Sequence, residues 1–269
     1  MVTELNANGR KRAASLFDGW KDTMIWSCLE GEMGKAYAVL QYGKEERKSG
    51  REDPFIASAK LDIADFCFYG GEANEELALH RKDVYEAGFK ILVPQNEGWE
   101  LLIERIYGDR AVRQIRYAFE KDRDSFSAEN LAKMSTGLEE GFSIEEIGER
   151  TFREAARLPW ACDWGGQFKG YRDYKKRGMG VAVRYKGELV AGASSYTVYS
   201  GGIEIQIDTR KDYRNRGLAS SCAAALILKC LDRGLYPSWD ADNEISAHLA
   251  RRLGYRFERE YPVYKIGLT

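Results

Sequence analysis

The sequence predicts an α/β (α+β) protein whose C-terminal half is a mixed, mostly antiparallel sheet flanked by helices. Two observations carry this. First, three runs rich in β-branched and aromatic residues, 178–185, 188–199 and 203–209, follow one another through short turns at Lys186-Gly187 and Ser200-Gly201-Gly202, which is a meander. In the third run Ile203, Ile205 and Ile207 alternate with Glu204, Gln206 and Asp208, the period of a strand with one polar face. Second, a glycine loop, an alanine-rich helical run at 218–233 closed by Gly234 and a further strand at 235–239 come next. A strand–helix–strand crossover of this length makes a parallel pair, so the sheet is expected to be mixed.

The elements before the meander are read in the same way. Ser143 with Glu146 reads as a capping box before a helix running towards Arg157. Residues 160–177, rich in Gly, Trp, Tyr and charge without periodicity, read as a loop, either a lid over a binding site or a surface connector anchored by its aromatics. The charged run 120–124 reads as a linker, which gives an N-terminal domain over 1–125 and a C-terminal domain over 126–269. In the N-terminal domain a strand is expected at 63–69, a helix at 72–86 ended by Gly88, and a strand at 89–93. Asn96 then precedes a helix with Trp99, Leu102, Ile103 and Ile106 on one face, before a strand at 112–119. The order strand, helix, strand, Asn-led helix, strand occurs again downstream, and 96–106 has the same span as 243–253. One reading is a degenerate second copy of the C-terminal fold, with Gly70-Gly71 standing where the glycine loop would be. The other is an unrelated α/β cap.

Composition narrows the function classes. With 269 residues and 44% hydrophobic content the chain can bury one large core or two modest ones. Its 41 basic and 42 acidic residues nearly cancel, so no global field attracts nucleic acid or an anionic membrane. No apolar run approaches the length of a bilayer span, and a cytoplasmic protein is expected. The five cysteines are widely spread, without a C-x-x-C pair, and there are two histidines, so neither a disulfide framework nor a metal site is indicated. Cys222 and Cys230 read as small buried hydrophobes. Cys162 is the most reactive-looking, with no histidine near it in sequence.

The segment Arg214-Asn215-Arg216-Gly217-Leu218-Ala219, set between the third strand and the alanine-rich helix, is the strongest chemical signal. Backbone N–H groups opening onto a helix N-terminus bind phosphate, because unpaired donors and the positive end of the helix dipole point to one place. Gly217 allows close approach, Ala219 keeps the first turn thin, and Arg214 and Arg216 bring positive charge. Asn243 and Ser246 follow, then Leu249-Ala250-Arg251-Arg252-Leu253-Gly254-Tyr255.

The ordered set R-x-x-G-x-A, N-x-x-S and leucine-glycine-aromatic resembles the GNAT superfamily of N-acetyltransferases over about residues 127–269. The words around it, including Ala193-Ser194-Ser195 and Tyr236 to Asn243, are similar to the subgroup that includes the zwittermicin A resistance acetyltransferase. That similarity reaches into Phe66 to Gly71 and Val93-Pro94-Gln95. The resemblance implies a GNAT-type sheet and direct acetyl transfer from acetyl-CoA, a cosubstrate, to an amine, without a covalent enzyme intermediate. It implies that Ile207, Asp208 and Thr209 run beside the pantetheine, and that Asn215, Arg216, Gly217, Leu218, Ala219 and Ser220 supply N–H groups to the pyrophosphate. Arg214 and Arg216 would be its charge partners, Asn243 would hold the pantetheine arm, and Ser246 would lie near the sulfur. Asn243 could equally be only an N-cap, and Ser246 only a small residue facing a strand.

Acetyl transfer needs a neutral amine. A lysine-like amine is mostly protonated at pH 7, and deprotonating it costs roughly 4–5 kcal/mol. A positioned carboxylate contributes about 10²–10⁴-fold, directly or through water. Glu204, on the polar face of the strand entering the loop, is the expected base, with Asp240 as the alternative. Either could instead bind a cationic substrate or pair with an arginine. Many GNAT enzymes carry a tyrosine, as acid for the leaving thiolate, at the position that is Ala250 here. That departure leaves Ser246, another tyrosine or water for the role. The expected activity is N-acetylation of a small amine, such as an aminated antibiotic. A non-catalytic CoA-binding sensor and a protein N-acetyltransferase are the alternatives.

Overall fold

The computed structural model describes residues 1–41 and 55–267. Its contacts divide the chain into two compact units, Met1–Arg116 with Glu260–Thr269, and Tyr117–Arg259. The division falls before the charged run 120–124, and the last residues join the first unit, because the end of the final strand pairs there.

In the first unit β1 (Val2–Glu4), β2 (Lys35–Gln41), β3 (Phe55–Ile63) and β4 (Phe66–Gly71) pair antiparallel in that order. β5 (Phe89–Pro94) adds parallel to β4, and Tyr264–Gly267 of the chain's last strand pair antiparallel with β5. Residues 63–69 are therefore not one strand. Ala64, at φ 51°, turns β3 back into β4. Two helices, α1 (Ala7–Ala13) and α2 (Thr23–Glu30), precede β2, each capped by a side chain, Asn6 and Asp22.

The helix expected at 72–86 is broken into α3 (Glu75–Leu79) and α4 (Lys82–Ala87). The reason is tertiary. Lys60, fully buried, donates to the His80 carbonyl at 2.6 Å and to the Tyr85 hydroxyl at 3.1 Å, and Tyr85 donates to Asp62 at 2.7 Å. Satisfying that ammonium takes the His80 carbonyl out of the helix ladder, and Arg81 follows at φ 66°. α5 (Glu97–Tyr107) is capped by Asn96, whose Oδ1 accepts from Trp99 N at 3.2 Å. It buries Trp99, Leu102, Ile103 and Tyr107 in the core of this unit, with Ile106 at its margin.

The second unit begins within β6 (Val112–Phe119) and continues with α6 (Ala128–Ser135), β7 (Phe142–Glu146), α7 (Glu149–Ala155) and α8 (Tyr171–Arg177). Then come β8 (Gly180–Tyr185), β9 (Glu188–Tyr199), β10 (Gly202–Thr209), α9 (Leu218–Asp232) and β11 (Tyr236–Ser238). The chain closes with β12 (Asp240–Ala241), α10 (Glu244–Leu253) and β13 (Phe257–Gly267). The sheet order is β11-β10-β9-β8-β7, antiparallel except for the parallel β10–β11 pair made by the α9 crossover. Mixed sheets with mostly antiparallel pairing, flanked by helices, are thus present as the sequence predicts.

Two local expectations fail. Ser143 and Glu146 are not a capping box but lie in edge strand β7, with Ser143 opposite Arg184, and α7 starts later at Glu149, after the N-cap residue Gly148. The buried Arg184 decides this. Its Nε donates to Glu145 at 2.8 Å and its Nη2 to Glu154 at 2.8 Å, so β7 and α7 are both tied to β8. The segment 160–177 is not a bare loop: Cys162–Trp164 form a single 3-10 turn, and α8 follows.

Candidate cofactor and acceptor site

β10 pairs with β11 only from Gly202, Ile203 and Glu204 to Tyr236, Pro237 and Ser238. Past Ser238 the chain leaves as β12 and pairs instead with Ala118 and Tyr117 of β6. The two strands therefore part, and the edge of β10 from Ile205 to Thr209 that faces away from β9 has no strand partner among the described residues. Such an edge is a template for another extended chain. The Thr209 hydroxyl at its end is buried and bonded to nothing in the protein.

The glycine loop stands at the end of this edge. Asn215 at φ 64° and Gly217 at φ 73° are both left-handed, and together they turn the chain from Arg214 into α9. No side chain caps α9, and the N–H groups of Leu218, Ala219 and Ser220 in its first turn have no intrahelical acceptor. A Cβ built on Gly217 would have nothing within 4 Å, so packing within the protein does not require glycine there. Arg214 and Arg216 are exposed and in no ion pair among the described residues. Arg214 Nε donates to the Thr209 carbonyl at 3.4 Å, and Arg216 lies 5.4 Å from the Tyr213 ring centre. Unpaired amides, a helix dipole and two unpaired guanidiniums fit a diphosphate, and the free strand edge fits an extended arm attached to it.

Asn243 and Ser246 lie at the start of α10. Asn243 Oδ1 caps that helix by accepting from Ser246 N at 3.0 Å, and the Ser246 hydroxyl accepts from Trp239 Nε1 at 3.2 Å. Asn243 is exposed, which leaves its Nδ2 accessible. Ala250 is fully buried against the core of this unit, so that turn offers no polar group. Asp240 is half-buried on β12, opposite Ala118, on the strand that has left the β10–β11 pair. Glu204 is 4% exposed, on the last rung before β10 and β11 separate. The polar face read from the sequence is therefore buried at this position, not solvated.

The segment 160–177 is seated on the sheet. Trp164, 1% exposed, donates from Nε1 to Asp208 at 3.0 Å, and Gln206 Nε2 donates to the same oxygen at 3.0 Å. Ser194 Oγ donates to the Trp164 carbonyl at 2.5 Å and bonds the Tyr174 hydroxyl at 2.8 Å. The six-membered ring of Trp164 packs against Gly192, where a Cβ would overlap it. Gly192→Ala is expected to lower stability by about 1–3 kcal/mol through overpacking, checked by denaturant unfolding.

Burial raises the Asp208 pKa above its ordinary value, against the two bonds that favour its charge. An acid whose folded pKa lies above its unfolded one destabilises the fold at pH above both, and that loss is recovered as pH falls through the folded value. Asp208→Asn, which can keep one acceptor oxygen for Trp164 and Gln206, is therefore expected to raise the melting temperature at pH 7. The gain should shrink towards pH 4, as followed by thermal unfolding across pH.

Cys222 and Cys230 are buried, each thiol pushed up to about 12, chiefly by burial, as inert core residues would be. Cys162 is raised too, by burial first and then by Asp163, which disfavours a thiolate. Among the described residues no group of three or more His, Cys, Asp or Glu side chains is arranged for a metal ion, and no helix is long and apolar enough to cross a membrane.

A parted parallel pair beside an uncapped helix N-terminus is specific enough to compare with known proteins, and the sequence profile described as GNAT acetyltransferase matches residues 14–264. The chain belongs to the GNAT acetyltransferase family. It is 39% identical to the GCN5-related N-acetyltransferase-like protein of Streptococcus suis 89/1591, whose crystal structure it matches with a TM-score of 0.84 over 97% of this chain and 99% of that one. It is 27% identical over 273 residues, 99% of each chain, to the uncharacterized N-acetyltransferase YdfB of Bacillus subtilis (strain 168). A tandem GNAT protein from the clavulanic acid biosynthesis pathway, 12% identical, has the same fold at a TM-score of 0.57 over 98% of this chain and 97% of that one.

This GNAT protein is thus an acyltransferase, of a family that uses acetyl-CoA. Sequence reasoning did not find the Trp164–Asp208 bond in the GNAT sheet, nor Thr197 and Ser238 as the cross-strand partners of Glu204. The alternation of β10 signals that Asp208 shares a face with Glu204, but Trp164 is distant in sequence and leaves no trace of its partner.

Proposed function

We propose that the protein is a cytoplasmic N-acetyltransferase that moves an acetyl group from acetyl-CoA to a primary amine of a small molecule. The observation that carries the donor is the unpaired edge of β10 leading to the uncapped start of α9 with Arg214 and Arg216 beside it. In this reading Ile207 to Thr209 pair with the pantetheine, and Asn215 to Ser220 hold the pyrophosphate. Asn243 Nδ2 reaches the arm from α10, while Ser246 stands near the sulfur. Glu204 takes the proton from the acceptor ammonium, since it lies where the strands part and the thioester would end. Asp240 is the second candidate. The similarity of the words around β9–β11 to the zwittermicin A resistance subgroup favours an aminated natural product as acceptor, with antibiotic resistance as the setting.

The first unit is read as a degenerate copy that has lost this cleft. Asn96 caps α5 as Asn243 caps α10, but Asn96 Nδ2 and Trp99 Nε1 both donate to the Gly71 carbonyl at 3.0 Å, and Gln95 Oε1 accepts from Gly71 N at 2.7 Å. β4 and β5 stay paired through Tyr69 and Pro94, and Asn74 caps α3. The edge and the helix start that would meet a cofactor are thus occupied by this unit's own side chains.

Thiol release from acetyl-CoA, measured with a panel of polyamines, amino acids and aminated antibiotics, tests the assignment. Turnover with one class identifies the acceptor. Tight CoA binding without turnover on any amine or peptide would overturn catalysis and leave a CoA sensor.

A further inference from the structure

We propose that Thr197 and Ser238 hold a water molecule beside Glu204, and that this water carries the acceptor's proton to the Glu204 carboxylate. The proposal rests on Glu204 as the base. Thr197 is the Cα partner of Glu204 in β9, and Ser238 its partner in β11. Cross-strand partners project to one face of a sheet, about 4.5–5.5 Å apart at Cβ in the antiparallel pair, so the Glu204 side chain leaves the sheet between those of Thr197 and Ser238. Both residues are 0% exposed, and neither hydroxyl bonds to any protein group.

That is expensive. A buried hydroxyl without a hydrogen bond has lost its hydration with nothing in exchange, and here two such groups lie on the same rung as one glutamate. Two buried serines of β9 are treated differently: Ser194 bonds Trp164 and Tyr174, and Ser195 both donates to and accepts from the Met179 backbone. Saturated neighbours show that this sheet can satisfy its hydroxyls from within, so the two orphans point to a partner that is not protein. A buried water takes two to four polar partners. Two hydroxyls and a carboxylate supply three, and the row is the last rung before β10 and β11 part, so the acceptor nitrogen can supply the fourth.

The chemistry balances. The ammonium gives a proton to the water as the water gives one to Glu204, so the ammonium becomes an amine, the carboxylate an acid, and the water is restored. The amine nitrogen then bonds the thioester carbon, the carbon–sulfur bond breaks, and the surplus proton on nitrogen ends on the CoA thiolate. Thr197 and Ser238 are positioning residues in this scheme.

The test has a structural and a kinetic arm. A crystal structure of the CoA complex is expected to show an ordered water within about 3.2 Å of both Thr197 Oγ1 and Ser238 Oγ, lost in Thr197→Val/Ser238→Ala. With the fastest amine of the panel, that double variant is expected to lower kcat tenfold or more and to displace the acid limb of the pH–rate profile, with CoA affinity unchanged. Thr197→Ser should keep the wild-type profile. No water at the row overturns the proposal, and so does a water whose loss leaves the profile unmoved. Glu204→Gln separates the two readings. If it too leaves the profile unchanged, the base lies elsewhere; if it alone changes the profile, Glu204 stands and the water relay falls. Should the double variant fold poorly, Thr197→Val alone with the density at the row decides the matter.

Discussion

Gly217→Val is expected to abolish CoA binding while leaving the fold intact. Gly217 is left-handed at φ 73°, and a β-branched side chain in that region costs about 1–3 kcal/mol. No protein atom lies within 4 Å of a Cβ built there, so the variant adds no internal clash. The cost should be a modest fall in melting temperature with an unchanged circular dichroism spectrum. The affinity loss has another origin. In the proposed reading the new methyl groups would stand in front of the Leu218, Ala219 and Ser220 amides, on the path of the pyrophosphate. A loss of at least 100-fold by calorimetry is expected, about 2.7 kcal/mol. Gly217→Ala helps to separate the causes, because it puts a Cβ at the same left-handed position without β-branching and with less intrusion, and should lose clearly less. Unchanged CoA affinity in the valine variant would mean that this loop does not bind the diphosphate.

Glu204→Gln should do the opposite, sparing CoA binding and lowering kcat by about 10²–10⁴-fold. The loss should be larger at low pH than at high pH. At low pH the acceptor is almost wholly ammonium and depends on a base; near pH 10 part of it is already neutral and needs none. Glutamine keeps the volume of this 4% exposed side chain, so a fall in rate would not report a repacked sheet. Measuring kcat from pH 6 to 10 with the best amine gives the result. A rate ratio between wild type and variant that does not change with pH would move the base to another residue, Asp240 first.

How much of this was legible depended on range. The hairpin 180–199, the strand Gly202–Thr209, helix α9 with its stop at Gly234, and the Asn caps of α5 and α10 are all written locally, because period, turn residues and caps act within a few positions. The misreadings occur where a distant partner overrides that signal. Arg184 draws Glu145 into an edge strand and cancels the capping box at Ser143, and Lys60 takes the His80 carbonyl and breaks the helix expected at 72–86. Trp160 to Arg177 reads as irregular because its order comes from the sheet beneath it, through Trp164 on Gly192 and Asp208.

The same distinction divides the site. The amino-acid sequence alone determined the loop Arg214 to Ala219, its place between a strand and a helix, and Asn243 as the cap beyond it, since a glycine turn into a helix and an N-cap are written within a few positions. Only the tertiary structure decided that β11 leaves β10 after Ser238, that Glu204 is buried on the last shared rung, and that Thr197 and Ser238 flank it without partners. Strand divergence and cross-strand neighbours are set by pairing between segments far apart in the chain, and no local pattern records which rung is the last.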